Sequence, residues 1–150
     1  MFVPTRVLLD NILAIESTDH AGATHPLLAL ALIGLYQQDF TPTVDSVLTD
    51  FTEANYNTYA RIAAAPYSAV FVGEGVLSLV DAVPWHVQMT DNLAPQTIYG
   101  ALLIAADGTT LLGAERFDAP ENLATVLNAF DYILRFGLDP LANFGLGVLS

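Results

Sequence analysis

Apolar and polar positions change rhythm several times along the chain, and each change predicts an element. In residues 5–16 (TRVLLDNILAIE), Val7, Leu8, Ile12 and Ile15 recur near i, i+1, i+5, i+8. That spacing makes one face of a short helix opening at Pro4-Thr5. Residues 17–26 are small and polar and end at Pro26, a loop. The run LLALALIGLYQ that follows holds too many apolar residues to alternate, which predicts a strand buried on both faces, although the same letters suit a buried helix. Residues 38–50 read as a turn-rich surface segment, and 56–62 (YNTYARI) as strand-like. Short strands are expected at 67–72, 76–80 and 85–89, separated by Gly73, Gly75 and Pro84. Residues 130–136 (FDYILRF) alternate and read as a final strand.

The clearest local signal is TIYGALLIAADGTTLLGAERF at 97–117. Asp107-Gly108 between two β-rich runs predicts a two-residue type I′ hairpin. That turn fixes a register in which Ile104 faces Leu111, Leu103 faces Leu112, Gly100 faces Glu115 and Tyr99 faces Arg116. In this register Gly100 leaves room for the Glu115 carboxylate, and the Arg116 guanidinium meets the Tyr99 ring. The sum is a single, mostly β domain over 1–150: an antiparallel β-sandwich or jelly-roll-like fold with a short N-terminal helix. An apolar arm at 138–150 follows it, uncharged over the ten residues after Asp139-Pro140, and apolar termini are held down by docking.

Charge narrows the partners. Sixteen acids stand against four arginines and no lysine, a net charge of −12. Such a surface does not neutralise phosphates, so neither nucleic acid nor an anionic membrane is an expected partner. The apolar run at 27–36 is about half of the ~20 residues a membrane-crossing helix needs, and the N-terminus has no basic, apolar and small-residue leader pattern. The chain therefore reads as soluble and retained in full. With no cysteine, thiolate catalysis, disulfides and cysteine-bound zinc are excluded.

Nothing in the pattern predicts an enzyme. His20, His25 and His86 lack metal-ligand spacing, Gly-x-Ser-x-Gly is missing, and there is no lysine to complete a phosphate loop. No metal, cofactor or catalytic residue is assigned. A glycan hydrolase needs a carboxylate pair, and only Glu115 sits where burial would raise a carboxyl. Its expected role is structural, paired with Arg61. Eleven Asp against five Glu suits a loop-rich β protein. The structural residues singled out are Arg61, Gly100, Asp107, Gly108 and Glu115. Phe144, Leu146, Val148 and Leu149, with the N-terminal segment, are the expected interface.

Four stretches, 7–10, 30–36, 40–61 (FTPTVDSVLTDFTEANYNTYAR) and 97–117, together resemble a family of small virion structural proteins of tailed phages. The Thr-Glu-Ala…Tyr-Ala-Arg and Ala-Glu-Arg-Phe elements carry the likeness, which covers mainly the centre of the chain. It departs after Phe117, where 120–128 looks loop-like or helical, and in the uncharged C-terminus. The resemblance implies a capsid decoration or cement protein, made in the host cytoplasm and carried in the virion. Its partners would be the major capsid protein or other virion proteins and copies of itself in a homo-oligomer. The alternative it leaves is a tail or fibre module contacting the host, with Tyr56, Tyr59 and Trp85 stacking on sugars.

Overall fold

The structure, a computed structural model, describes residues 2–8, 31–64, 67–72, 76–81, 85–91, 95–133 and 135–138. The apolar runs become strands: β1 (Phe2–Pro4), β2 (Leu32–Tyr36), β3 (Ile62–Ala63), β4 (Tyr67–Val72), β5 (Val76–Asp81), β6 (Trp85–Gln88), β7 (Gln96–Ile104), β8 (Leu111–Leu123), β9 (Ala129–Tyr132) and β10 (Arg135–Leu138). The fold is mostly β and its strand pairs are antiparallel. Strands pair as a five-stranded sheet in the order β1-β8-β7-β2-β3, a three-stranded sheet β10-β5-β4, and a two-stranded ribbon β6-β9. Residues 6–8 are helical, where the sequence predicts a helix to begin; its expected continuation lies outside the described residues.

β7 lies at the centre because its sequence suits burial on both faces. Residues 100–104 are all buried. Leu103 joins Ile33, Leu35 and Leu112 on one side, where Val87, Met89 and Tyr132 of the ribbon region complete the core. Leu102 and Ile104 join Tyr36, Phe51 and Leu111 on the other. Neighbouring leucines thus anchor different cores, each burial contributing roughly 1.5–3 kcal/mol. Phe117 ties the ribbon on, packing its ring on Phe130 at 6.1 Å and Tyr132 at 5.5 Å.

The β7–β8 register matches expectation at Ile104↔Leu111 and then departs. Leu103 faces Gly113, so Leu112 is an extra residue on β8, a bulge that moves each later partner by one. A larger irregularity follows: Gly100 faces Arg116 and Ile98 faces Glu121, which leaves 117–120 beside Tyr99. Pro120, with no N–H to give a ladder, sits in this stretch. The segment after Phe117 is therefore strand as far as Leu123, not loop or helix.

The hairpin tip also differs from the two-residue type I′ form. The Ala105 N–H donates to the Thr110 carbonyl at 2.8 Å, enclosing four residues, 106–109. Gly108, at φ 73°, is the one left-handed residue among those described. Asp107 bends the chain with its side chain instead. Its Oδ1 accepts the Thr109 and Thr110 N–H groups, both at 2.8 Å, and Oδ2 accepts the Thr110 hydroxyl at 2.6 Å. Residues 130–136 divide between β9 and β10, which belong to different sheets. Of the C-terminal arm only Leu138 is described; Phe144, Leu146, Val148 and Leu149 lie outside the described residues.

Candidate functional site

Among the described residues, a dense polar centre lies on the β3 side of β2. β3 pairs with β2 only at Leu32↔Ala63 and Ile33↔Ile62. Farther along, the Ala54 N–H donates to the Leu35 carbonyl at 2.8 Å and the Gln37 N–H to the Thr52 carbonyl at 2.9 Å. Between these contacts residues 55–61 loop out, and the Tyr59 hydroxyl accepts the Leu35 N–H at 3.1 Å in place of a backbone carbonyl. This is why YNTYARI, strand-like in sequence, is strand only from Ile62. The loop is tied to its surroundings by polar side chains. Asn55 and Gln96 bond each other, Asn57 Nδ2 donates to Thr90 and Asp91 at 2.6 and 2.9 Å, and Thr58 donates to the Gln88 carbonyl at 2.9 Å.

At the base of the loop, Glu53, Tyr59 and Arg61 converge. Arg61 grips the Glu53 carboxylate with Nε at 2.8 Å and Nη2 at 2.7 Å, while Nη1 donates to the Gly108 carbonyl at 2.6 Å. The Tyr59 hydroxyl donates to Glu53 Oε1. Both side chains of the ion pair are 26% exposed. Burial pushes the Glu53 carboxyl up, but the Arg61 and Tyr59 hydrogen bonds outweigh it and hold the group below its usual value. Burial, then the Glu53 bond, push the Tyr59 phenol far up. The site thus holds an ionised acid, its cation and a phenol that keeps its proton. Gly34 makes the approach possible, since a Cβ there would lie 3.0 Å from Tyr59 Oη and 3.1 Å from Glu53 Oε1.

The structure brings Arg61 and Gly108 together, with Asp107 shaping the turn beside them. It corrects the partner of Arg61, which is Glu53 and not Glu115. Glu115 instead accepts from the Tyr132 hydroxyl at 3.0 Å, on the ribbon side. The reason is the bulge at Leu112, which places Glu115 opposite Ala101. The expected role of Gly100 also changes: a Cβ there would overlap the Glu115 carbonyl and the Tyr36 ring, so its bare backbone accommodates that ring and not the carboxylate. The sequence pattern predicts no contact for Glu53 or Gly34, and for Tyr59 only the stacking on sugar of the alternative module. The signal available for Glu53 and Tyr59 was the Thr-Glu-Ala…Tyr-Ala-Arg element itself.

Other polar groups form pairs at the surface. Arg116 sits 5.9 Å from the Tyr99 ring centre, as the sequence predicts, and also binds Asp39 at 2.6 Å and the Phe40 carbonyl at 3.1 Å. His86 Nδ1 bonds Asp131 at 2.7 Å across the ribbon, which raises the imidazole's pKa. Among the described residues no three His, Asp or Glu side chains gather as metal ligands, and no helix is long and apolar enough to cross a membrane. Tyr56, Tyr59 and Trp85 pack on one another, at 5.3 and 6.4 Å between centres, against the core and not as an open sugar platform. No protein-family model, curated protein or solved structure matches the chain.

Proposed function

We propose that the chain is a structural protein of a tailed-phage virion, which decorates or cements the capsid through contacts with the major capsid protein and with its own copies. One observation carries the reading. Two of the four segments that resemble virion proteins close on a single centre, Glu53, Tyr59 and Arg61 from 40–61 and Gly108 from 97–117. The residues behind the likeness therefore serve a scaffold, with each charge of the centre neutralised within the chain. A particle protein is present in many copies, so weak individual contacts sum to firm attachment. The net charge of −12 keeps free copies apart before assembly. The uncharged segment with Phe144, Leu146, Val148 and Leu149 is the proposed contact with the shell.

The test is immunogold labelling of purified particles with antibody against this chain, followed by rebinding of purified protein to stripped capsids. Head labelling, and rebinding that weakens when residues 141–150 are removed, are expected. Label confined to the tail, or no label, would overturn the proposal.

A further inference from the structure

The sheet edges of this protein are unequal. β1 is three residues long and ends in Pro4, and β3 is two residues long. Beyond β1, the outer edge of β8 carries the irregular stretch 117–120 with Asp118 and Pro120, followed by Glu121. The ribbon displays the exposed His86–Asp131 pair, and β10 begins with Arg135. Short strands, proline, charge and bulges are the devices that stop an edge from recruiting another strand.

β4 has none of them. It pairs with β5 without interruption from Tyr67↔Asp81 to Val72↔Val76, and among the described residues no strand lies on its other side. Its sequence, YSAVFV, has no charge, proline or glycine, and its residues on both faces are mostly apolar. Such an edge is a template for its own kind. Were it reserved for a foreign partner, nothing in the strand would prevent self-pairing first. Charge points the same way. Two chains of net charge −12 repel, and can approach only where neither brings an acid. Residues 62–80 contain one charge, Glu74, and it lies outside β4.

We infer that β4 pairs antiparallel with β4 of a second copy about a two-fold axis, joining two three-stranded sheets into one continuous sheet. With the axis through the Ala69 pair, Ala69 faces Ala69 of the other copy, Ser68 faces Val70 and Tyr67 faces Phe71. With it through the Val70 pair, Val70 faces Val70, Ala69 faces Phe71 and Ser68 faces Val72, and in neither register do like charges meet. The inference rests on the homo-oligomer part of the proposed function and not on capsid binding, so the purified protein tests it separately.

Sedimentation of the full chain is expected to show a dimer. Val70→Lys is expected to raise its dissociation constant about tenfold or more, while Val70→Thr keeps the dimer. The chain has no cysteine of its own. Ala69→Cys or Val70→Cys, whichever lies on the axis and so directly faces its own copy, should therefore form a disulfide-linked dimer under mild oxidation, because directly opposed strand residues lie within bridging distance. The exposed control Thr49→Cys should not. This second readout holds even if the lysine variant fails to fold. A wild-type monomer, a dimer indifferent to Val70→Lys, or failure of both cysteines to cross-link would overturn the inference.

Discussion

The two flanks of the five-stranded sheet carry ion pairs of the same length in different settings. On the β2 flank Arg61 meets Glu53 at 2.7 Å with both side chains 26% exposed. On the β8 flank Arg6 meets Asp45, also at 2.7 Å, but the side chains are 67% and 69% exposed. Distance alone does not rank them; water does. The exposed pair is screened and contributes on the order of 0–1 kcal/mol. Removing one partner of the other leaves a carboxylate poorly solvated and unbalanced. The surroundings follow suit. The β2 flank is closed by a phenol and a looped segment. The β8 flank is closed by a short strand, the Thr5 hydroxyl donating to the Leu111 and Leu112 carbonyls, and the Phe2 ring occupying the space above Gly113.

Glycine substitutions probe the contrast most severely. Gly100→Ala forces a methyl against the Glu115 carbonyl and the Tyr36 ring, and should cost about 3 kcal/mol or prevent folding. Gly113→Ala meets the Phe2 ring first, which can swing away at the edge, and should cost about 1 kcal/mol. Urea midpoints compare the two, and equal losses would erase the distinction between flanks.

Arg61→Met keeps the aliphatic stem and removes the cation; a loss of about 2–3 kcal/mol is expected, partly recovered by adding Glu53→Gln. pH should show the same centre. Since the folded Glu53 pKa lies below its ordinary 4.5, the stability it contributes is complete above that value. It is lost as pH falls through the lowered folded value. Thermal melts of wild type should therefore decline more steeply in acid than those of Glu53→Gln, and parallel curves would count against the assignment.

Tyr59→Phe is next in size, at about 1–2 kcal/mol, because the Leu35 N–H and the Glu53 carboxylate each lose a partner. Hydrogen exchange should speed at Leu35 specifically; unchanged protection there would show that the hydroxyl does not replace a strand. Smallest is Arg6→Ala, expected within about 0.5 kcal/mol of wild type, a difference that shrinks further as added salt screens the pair. A larger loss would mean that exposure had been given too much weight.

Legibility in the sequence followed the physics of each element. β2 and the hairpin were readable because apolar runs and Asp-Gly are local signals. The register below the tip was not. Leu111 and Leu112 are both apolar and each has a core to enter, so alternation cannot say which residue is the bulge. Arg61 was recognisable as a scarce cation needing an acid. Its true partner Glu53 lies in an aperiodic segment, and only the looping out of 55–61 brings the two together. The Tyr59 hydroxyl standing in for a carbonyl is a tertiary substitution that imitates strand pairing without strand periodicity.

β7 is a wall shared by two rooms. Leu102 and Leu103 sit on opposite sides of it, one residue apart, so tilting the strand to relieve crowding on one side presses on the other. Neither compartment can be repacked alone. Volume changes at Leu35 should be felt at Phe51, although the partition stands between them.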